Sequence, residues 1–225
     1  MEGLQQRIME VQSRIEQAAQ KSGRSSREIT LLAVSKMVDN AMVQEAYNLG
    51  IRDFGENRVK ELTRKINGLP QANWHMIGRL QTNKVNEVVG KAFLIHSLDR
   101  WSLAEELNKR GQYLDMPVQV LLQVNISNEE SKTGLPVNEV ESFLQSVGQL
   151  PSLQVMGLMT IAPLSSVSED SRPIFRELAA LKRQLNRKTA ANVELKCLSM
   201  GMSQDYEVAI EEGADIVRIG SALFT

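Results

Sequence analysis

The sequence predicts one domain folded as a closed (β/α)8 barrel of the TIM type. Apolar runs of strand length alternate with amphipathic stretches of helical period, and eight such runs can be counted. Strict alternation indicates a parallel sheet, because parallel neighbours need a crossover that is usually helical. The third observation is size: 225 residues at 42% apolar composition can bury one substantial core, so residues 1–225 read as a single barrel domain.

The elements follow in order. Leu4, Ile8, Val11, Ile15 and Ala18 recur at helical spacing and predict an amino-terminal helix over Leu4–Gln20. The eight strands are expected at Ile29–Ser35, Arg52–Gly55, Trp74–Ile77, Phe93–Ser97, Val118–Asn125, Gln154–Thr160, Leu195–Met200 and Ile216–Ile219. Helices are expected between them at Asn40–Leu49, Arg58–Ile66, Asn83–Val89, Leu103–Lys109, Val137–Gly148, Arg172–Arg187 and Gln204–Glu211. Asp39 or Asn40 is the cap candidate before the first of these, and Gly50 and Gly213 close others. The sequence stops at Thr225 directly after the eighth strand, so an eighth helix is expected to be missing and the amino-terminal helix to cover the exposed flank.

Composition narrows the function. The 26 basic and 27 acidic residues nearly balance, which announces neither a nucleic-acid nor a membrane surface. The amino terminus lacks the apolar core of a secretory signal, and no stretch is long enough to span a bilayer, so a cytoplasmic protein is expected. A single cysteine, Cys197, forbids an internal disulfide or a thiolate metal cluster. Nothing near it in sequence would activate the thiol, so core is the plainer reading. Only two histidines, His75 and His96, are present, in separate apolar segments, which further disfavours a metal site.

Barrel active sites form at the carboxyl ends of the strands. Lys36 follows ITLLAVS directly, and period-two alternation puts Leu32, Val34 and Lys36 on one face. If that face points inward, the amine stands over an apolar floor, where desolvation would lower its pKa and favour nucleophilic, imine-forming chemistry. Taken alone, a lysine ending a strand in solvent is the plainer reading. Ser199-Met200-Gly201-Met202-Ser203 after the seventh strand and Gly220-Ser221 after the eighth contain small residues where barrels frequently hold a phosphate. Ser203 sits where a helix amino terminus would favour an anion, although Gly and Ser also simply make turns. Arg218 lies inside the last strand, where a lone guanidinium needs either a carboxylate or a ligand. An amine, a phosphate cup and a buried arginine together match the aldehyde, phosphate and pyridine nitrogen of pyridoxal 5′-phosphate (PLP).

The motifs LLAVSK, FGENRVKE, WHMIGRLQTNK, LQVNISNEESKTG, GLMTI, LSMGMSQDYEVAI and ADIVRIGSALF together resemble the pyridoxal phosphate homeostasis proteins, a family similar to the barrel domain of alanine racemase. The resemblance covers about Ile29 to Phe224, and WHMIGRLQTNK and LSMGMSQDYE carry it most specifically. It implies that Lys36 carries PLP as a Schiff base, that Ser203, Gly220 and Ser221 hold the phosphate, and that Arg218 faces the pyridine nitrogen. It also implies that Asn57 and His75 line the pocket. Read from the residues alone, His75 is more often a satisfied core histidine, and Asn57 equally caps the helix at Arg58.

A pyridine nitrogen facing an arginine accepts a hydrogen bond and stays unprotonated, leaving the ring a poor electron sink. The family relationship implies a PLP carrier or buffer, not itself a strong catalyst, that supplies PLP-dependent apoenzymes, affects amino-acid pools and is a monomer. The alternatives are a PLP-dependent amino-acid racemase with an unidentified second base, and a class I aldolase using Lys36 on a phosphorylated sugar. A third is a scaffold using the charged segment Phe175–Lys188. Racemisation needs a second base, and Tyr47, Tyr113 and Tyr206 each read more simply as packing.

Overall fold

Eight parallel strands close into a ring in the computed structural model, which describes residues 2–127, 129, 133–163, 165, 167–187 and 193–225. Part of the stretch LQVNISNEESKTG, and Lys188 of the charged segment, lie outside the described residues. The strands are β1 (Thr30–Val34), β2 (Asp53–Glu56), β3 (Asn73–Met76), β4 (Leu94–Leu98), β5 (Val118–Asn125), β6 (Leu153–Met159), β7 (Val193–Met202) and β8 (Ile216–Ile219). Each pairs with its neighbours in sequence, and β8 returns to β1 with Arg218 opposite Leu32. The two-residue extension Leu135–Pro136 pairs with β5 outside the ring, a piece too short to show a period in the sequence.

Alternation along the strands sorts side chains into two layers. Leu32, Val34, Leu94, Leu121, Met159 and Ile216 pack together inside the barrel, so the face shared by Leu32 and Val34 is the inward one, as expected. Ala33, Phe54, Trp74, Ile95 and Val120 belong to the outer core under the helices. Gly55 has a specific task on the inner face. A Cβ there would sit 2.5 Å from Leu32 Cδ2 and 3.1 Å from Ile77 Cδ1, so only hydrogen lets those two side chains meet.

The covering helices are α1 (Glu2–Lys21), α2 (Asn40–Asn48), α3 (Val59–Gly68), α4 (Val85–Val88), α5 (Trp101–Leu114), α6 (Val137–Val147), α7 (Arg172–Leu185), α8 (Tyr206–Glu211) and α9 (Ser221–Phe224). Asp39 is the cap of α2: its carboxylate accepts the Met42 N–H at 2.8 Å. The expectation about the carboxyl end is corrected in one respect. A single helical turn, α9, does follow β8. The amino-terminal helix nonetheless covers that flank, with Leu4, Ile8, Val11, Ile15 and Ala18 all buried and α1 packed on α8 and α9. Arg7 Nε donates to the Leu223 carbonyl at 2.6 Å, and Arg14 pairs with Glu207.

The charged face of α7 is engaged with its own chain. Arg172 bonds Glu169, Glu211 and Glu212, and Arg176 bonds Glu212, while Phe175, Leu178 and Leu185 point into the core. Among the described residues, no helix is long and apolar enough to cross a membrane.

Candidate functional site

The carboxyl ends of the strands open onto a cavity of about 360 Å³, and six of the seven residues singled out from sequence line it: Lys36, Asn57, Ser203, Arg218, Gly220 and Ser221. Val34, Ile77, Ile161 and Met202 supply apolar wall. Of these, Val34 was legible from its alternation with Lys36. The others became wall residues only when the barrel closed.

Lys36 stands just past the end of β1, exposed at the cavity's edge. The desolvation expected to act on its ammonium is therefore not provided by this arrangement. What the fold provides instead is anchorage of the turn that carries it. Ser35 is fully buried, and its hydroxyl donates to Glu56 Oε1 at 2.7 Å. Lys65, reaching in from α3, donates to both the Ser35 carbonyl and Glu56 Oε1, each at 2.6 Å. The side chains of Lys65 and Glu56 are each 1% exposed, so this is an ion pair sealed behind the site. The Ser35 carbonyl also receives the Val38 N–H at 3.0 Å. Between them Met37 is held at φ 65°, a left-handed conformation rare for a bulky residue that the surrounding bonds must enforce. Neither Glu56 nor Lys65 drew attention in the sequence, because a buried pair reads there as ordinary surface charge.

Beside β1, Ser203 ties the loops after β7 and β8 together. Its hydroxyl oxygen accepts the Gly220 N–H at 3.2 Å and the Ala222 N–H at 3.3 Å. The loop itself is closed by Asp205, whose carboxylate accepts the Met202 N–H at 2.7 Å and the Ser171 hydroxyl at 2.9 Å. Gly201 makes the bend at φ 89°, and a Cβ there would lie 2.6 Å from that of Ala209. The helix expected from Gln204 begins at Tyr206, so Ser203 precedes it and acts through the loop. The Ser203 and Ser221 hydroxyls thus lie together on the cavity lining, while the Gly220 and Ala222 N–H groups are committed to the Ser203 oxygen.

Arg218 forms part of the floor and is 5% exposed. The sequence left a carboxylate or a ligand as its partner. The structure instead gives it neutral acceptors, with Nη1 donating to Ser199 Oγ at 2.6 Å and Nη2 to the Thr160 carbonyl at 2.8 Å. Burial pushes the guanidinium pKa down to about 10, against an upward pull from Asp205, so it remains a cation at neutral pH.

His75 does not line the cavity, which corrects the expectation drawn from the resemblance. It lies deeper in the barrel, with Nδ1 2.9 Å from His96 Nε2 and Nε2 3.1 Å from Asp53 Oδ1. The bland reading, a satisfied core histidine, is the one that holds. Asn57 is the converse case. It lines the cavity and does not cap α3, whose cap residue is Arg58 with no side-chain bond. Gly78 packs on it so closely that a Cβ would lie 2.1 Å from the Asn57 carbonyl oxygen.

None of the three tyrosines reaches the cavity. Tyr47 and Tyr113 lie under the guanidinium groups of Arg52 and Arg110, and Tyr206 is buried at the start of α8. Burial pushes the Cys197 thiol up to about 11, assisted by Asp215, so at neutral pH it stays a thiol.

An exposed amine, a rim carrying two hydroxyls and a cationic guanidinium on the lining of one cavity fit a small ligand that joins an aldehyde to a phosphate. Comparison with known proteins is consistent with that geometry. Residues 9–225 match the alanine racemase N-terminal domain. The pyridoxal phosphate homeostasis protein of Aquifex aeolicus is 46% identical over 97% of this chain and 96% of its own, and that of Pseudomonas aeruginosa is 40% identical over 100% and 96%. The structure of PipY from Synechococcus elongatus with PLP bound is 33% identical, covers 99% of this chain and 100% of its own, and superposes with a TM-score of 0.86. Alanine racemase from Corynebacterium glutamicum is 14% identical, with a TM-score of 0.69 over 95% of this chain and 59% of its own, and shares the fold.

Proposed function

The chain belongs to the pyridoxal phosphate homeostasis proteins, within the family of the alanine racemase N-terminal domain, and on that premise we propose that it binds PLP in the cavity at the barrel mouth. One observation carries the assignment of residues: the exposed Lys36 and the Ser203, Gly220 and Ser221 loops line one cavity with Arg218, at the ends of the neighbouring strands β1, β7 and β8. When bound, PLP supplies an aldehyde that condenses reversibly with a lysine amine, releasing water. Lys36 is the amine within this site. The Ser203 and Ser221 hydroxyls would be the donors for the phosphate, in a loop whose Gly220 and Ala222 N–H groups Ser203 gathers. Asn57, held by Gly78, shapes the wall.

Arg218, on the floor, would be the group facing the ring. A guanidinium donates and does not accept, so a pyridine nitrogen facing it stays an acceptor and is not protonated. That weakens the stabilisation of a carbanion, and no tyrosine lines the cavity to act as a second base. Both facts support a protein that loads, holds and releases PLP, supplying PLP-dependent apoenzymes, without strong catalysis of its own. We propose further that it works in the cytoplasm, which the lone Cys197 supports, and as a monomer, which sedimentation of the PLP-loaded protein checks.

The deciding experiment is borohydride reduction of the PLP-loaded protein followed by peptide mapping. The pyridoxyl group is expected on Lys36, and Lys36→Ala is expected to abolish it while leaving stability within about 0.5 kcal/mol, because the side chain is exposed. A pyridoxyl group on another lysine overturns the assignment. Rapid exchange of the α-proton of D- or L-alanine in deuterated water would favour the racemase reading instead.

A further inference from the structure

Arg218 is the upper end of a hydrogen-bond chain that crosses the barrel interior. It runs from Arg218 Nη1 to Ser199 Oγ (2.6 Å), to His96 Nδ1 (3.0 Å), from His96 Nε2 to His75 Nδ1 (2.9 Å), and from His75 Nε2 to Asp53 Oδ1 (3.1 Å). His75, His96 and Ser199 are each at most 1% exposed, so no water competes for these atoms. The line joins four strands, β2, β3, β4 and β7, to the arginine on β8.

The two ends of the line differ in character, since a guanidinium only donates and an ionised carboxylate only accepts. The Ser199 oxygen receives the Arg218 N–H and lies within hydrogen-bond distance of His96 Nδ1. His75 faces Asp53 on one side and His96 on the other, while His96 also feels Arg218. Burial, then His75 and Arg218, hold the His96 pKa well below 6.5, so that ring is neutral at neutral pH.

We propose that Asp53, His75, His96 and Ser199 are positioning residues that set the orientation of Arg218 toward the bound cofactor. The inference rests on the reading of the cavity as a PLP site. With Nη1 committed to Ser199 and Nη2 to Thr160, the guanidinium plane is fixed, and the N–H groups left over are those that can face the cavity. The ring contact is thereby governed from Asp53 at the opposite end of the barrel. His75, which the motif WHMIG brought forward as a wall residue, acts one step removed, through His96.

Two measurements test this. Nitrogen-15 NMR of the ligand-free protein reads the buried His96 ring directly. It is expected to stay neutral as the pH falls from about 8 through about 6.5, where a free histidine titrates. A His96 ring that titrates as a free histidine overturns the closed line whether or not PLP binds. The second measurement is PLP affinity and the absorption maximum of bound PLP in His96→Leu, His96→Asn and Ser199→Ala. Leu leaves Ser199 without its ring partner, and Ser199→Ala removes the Nη1 acceptor. Both are expected to weaken PLP binding about tenfold, the scale of one charged hydrogen bond, and to shift the maximum. Asn can still accept from Ser199 and is expected to retain affinity within about threefold, below half of one such bond. Melting points lowered in all three with unchanged affinity and spectrum would assign the chain to folding alone and overturn the positioning role. Absence of PLP binding in the unaltered protein would instead sink the cavity assignment, leaving the NMR result standing by itself.

Discussion

Lys65→Met is the perturbation whose size the structure fixes best. The Lys65 ammonium lies 2.6 Å from both Glu56 Oε1 and the Ser35 carbonyl, and both charged side chains are 1% exposed. Methionine fills nearly the same volume and removes the charge. The Glu56 carboxylate would then be sealed in the protein with the Ser35 hydroxyl as its remaining described donor. Stranding one member of a buried ion pair costs about 3–5 kcal/mol. For a chain of this length each kcal/mol moves the melting point by about 2–4 °C, so a fall of about 6–20 °C is expected. Urea unfolding measures the free energy, with the m-value checking that the unfolded state is unchanged. The double variant Glu56→Leu with Lys65→Met removes both charges and is expected to regain most of the stability, because such pairs are often no better than apolar replacements. It does not restore the clamp on Ser35, so PLP affinity should remain reduced in it. A loss below about 1 kcal/mol in the single variant would refute the reasoning, since that is the scale of an exposed pair.

Three further outcomes follow from the same geometry. Gly78→Ala places a Cβ 2.1 Å from the Asn57 carbonyl oxygen, so it is expected to cost about 1–3 kcal/mol and to weaken PLP binding, both read by titration and thermal melting. Ser203→Ala removes one hydroxyl donor for the phosphate and the acceptor that orders the Gly220–Ala222 backbone; PLP retention should fall while borohydride still traps the cofactor on Lys36. The His96 pKa is depressed in the folded chain, so its contribution to stability is complete above about pH 6.5 and is lost as pH falls below that value, at up to about 1.4 kcal/mol per pH unit. The difference in unfolding free energy between the unaltered protein and His96→Asn, followed from pH 8 to pH 5 (approximate limits), should therefore be flat at the upper end and shrink toward the lower.

How legible the site was depended on how far apart its partners lie in sequence. Lys36, Arg218 and the two Gly–Ser loops could be placed because a parallel barrel sends the carboxyl ends of its strands to one mouth, and position along a strand is a local property. Alternation also assigned Leu32 and Val34 to the interior. Asn57 came only through the family resemblance, and its packing against Gly78 needed the fold. His75 was misplaced by that resemblance, since a motif shared among relatives does not say whether a residue touches the ligand or supports one that does. Ser199 was seen only as part of a small-residue loop, and Thr160 only as the end of a strand.

By itself, the sequence determined the eight-fold alternation, the buried stripe of α1 and the mouth at which the chemistry collects, because periods of two and about 3.6 residues are written into which neighbours are apolar. Only the tertiary structure decided what each inward side chain meets. His96 meets Ser199 from 103 residues away, and Lys65 meets Ser35 from 30. Whether a polar or charged group is a solvated surface residue, a stranded liability or one link in a satisfied chain is set by the partner that ring closure brings to it, and no local pattern encodes that partner.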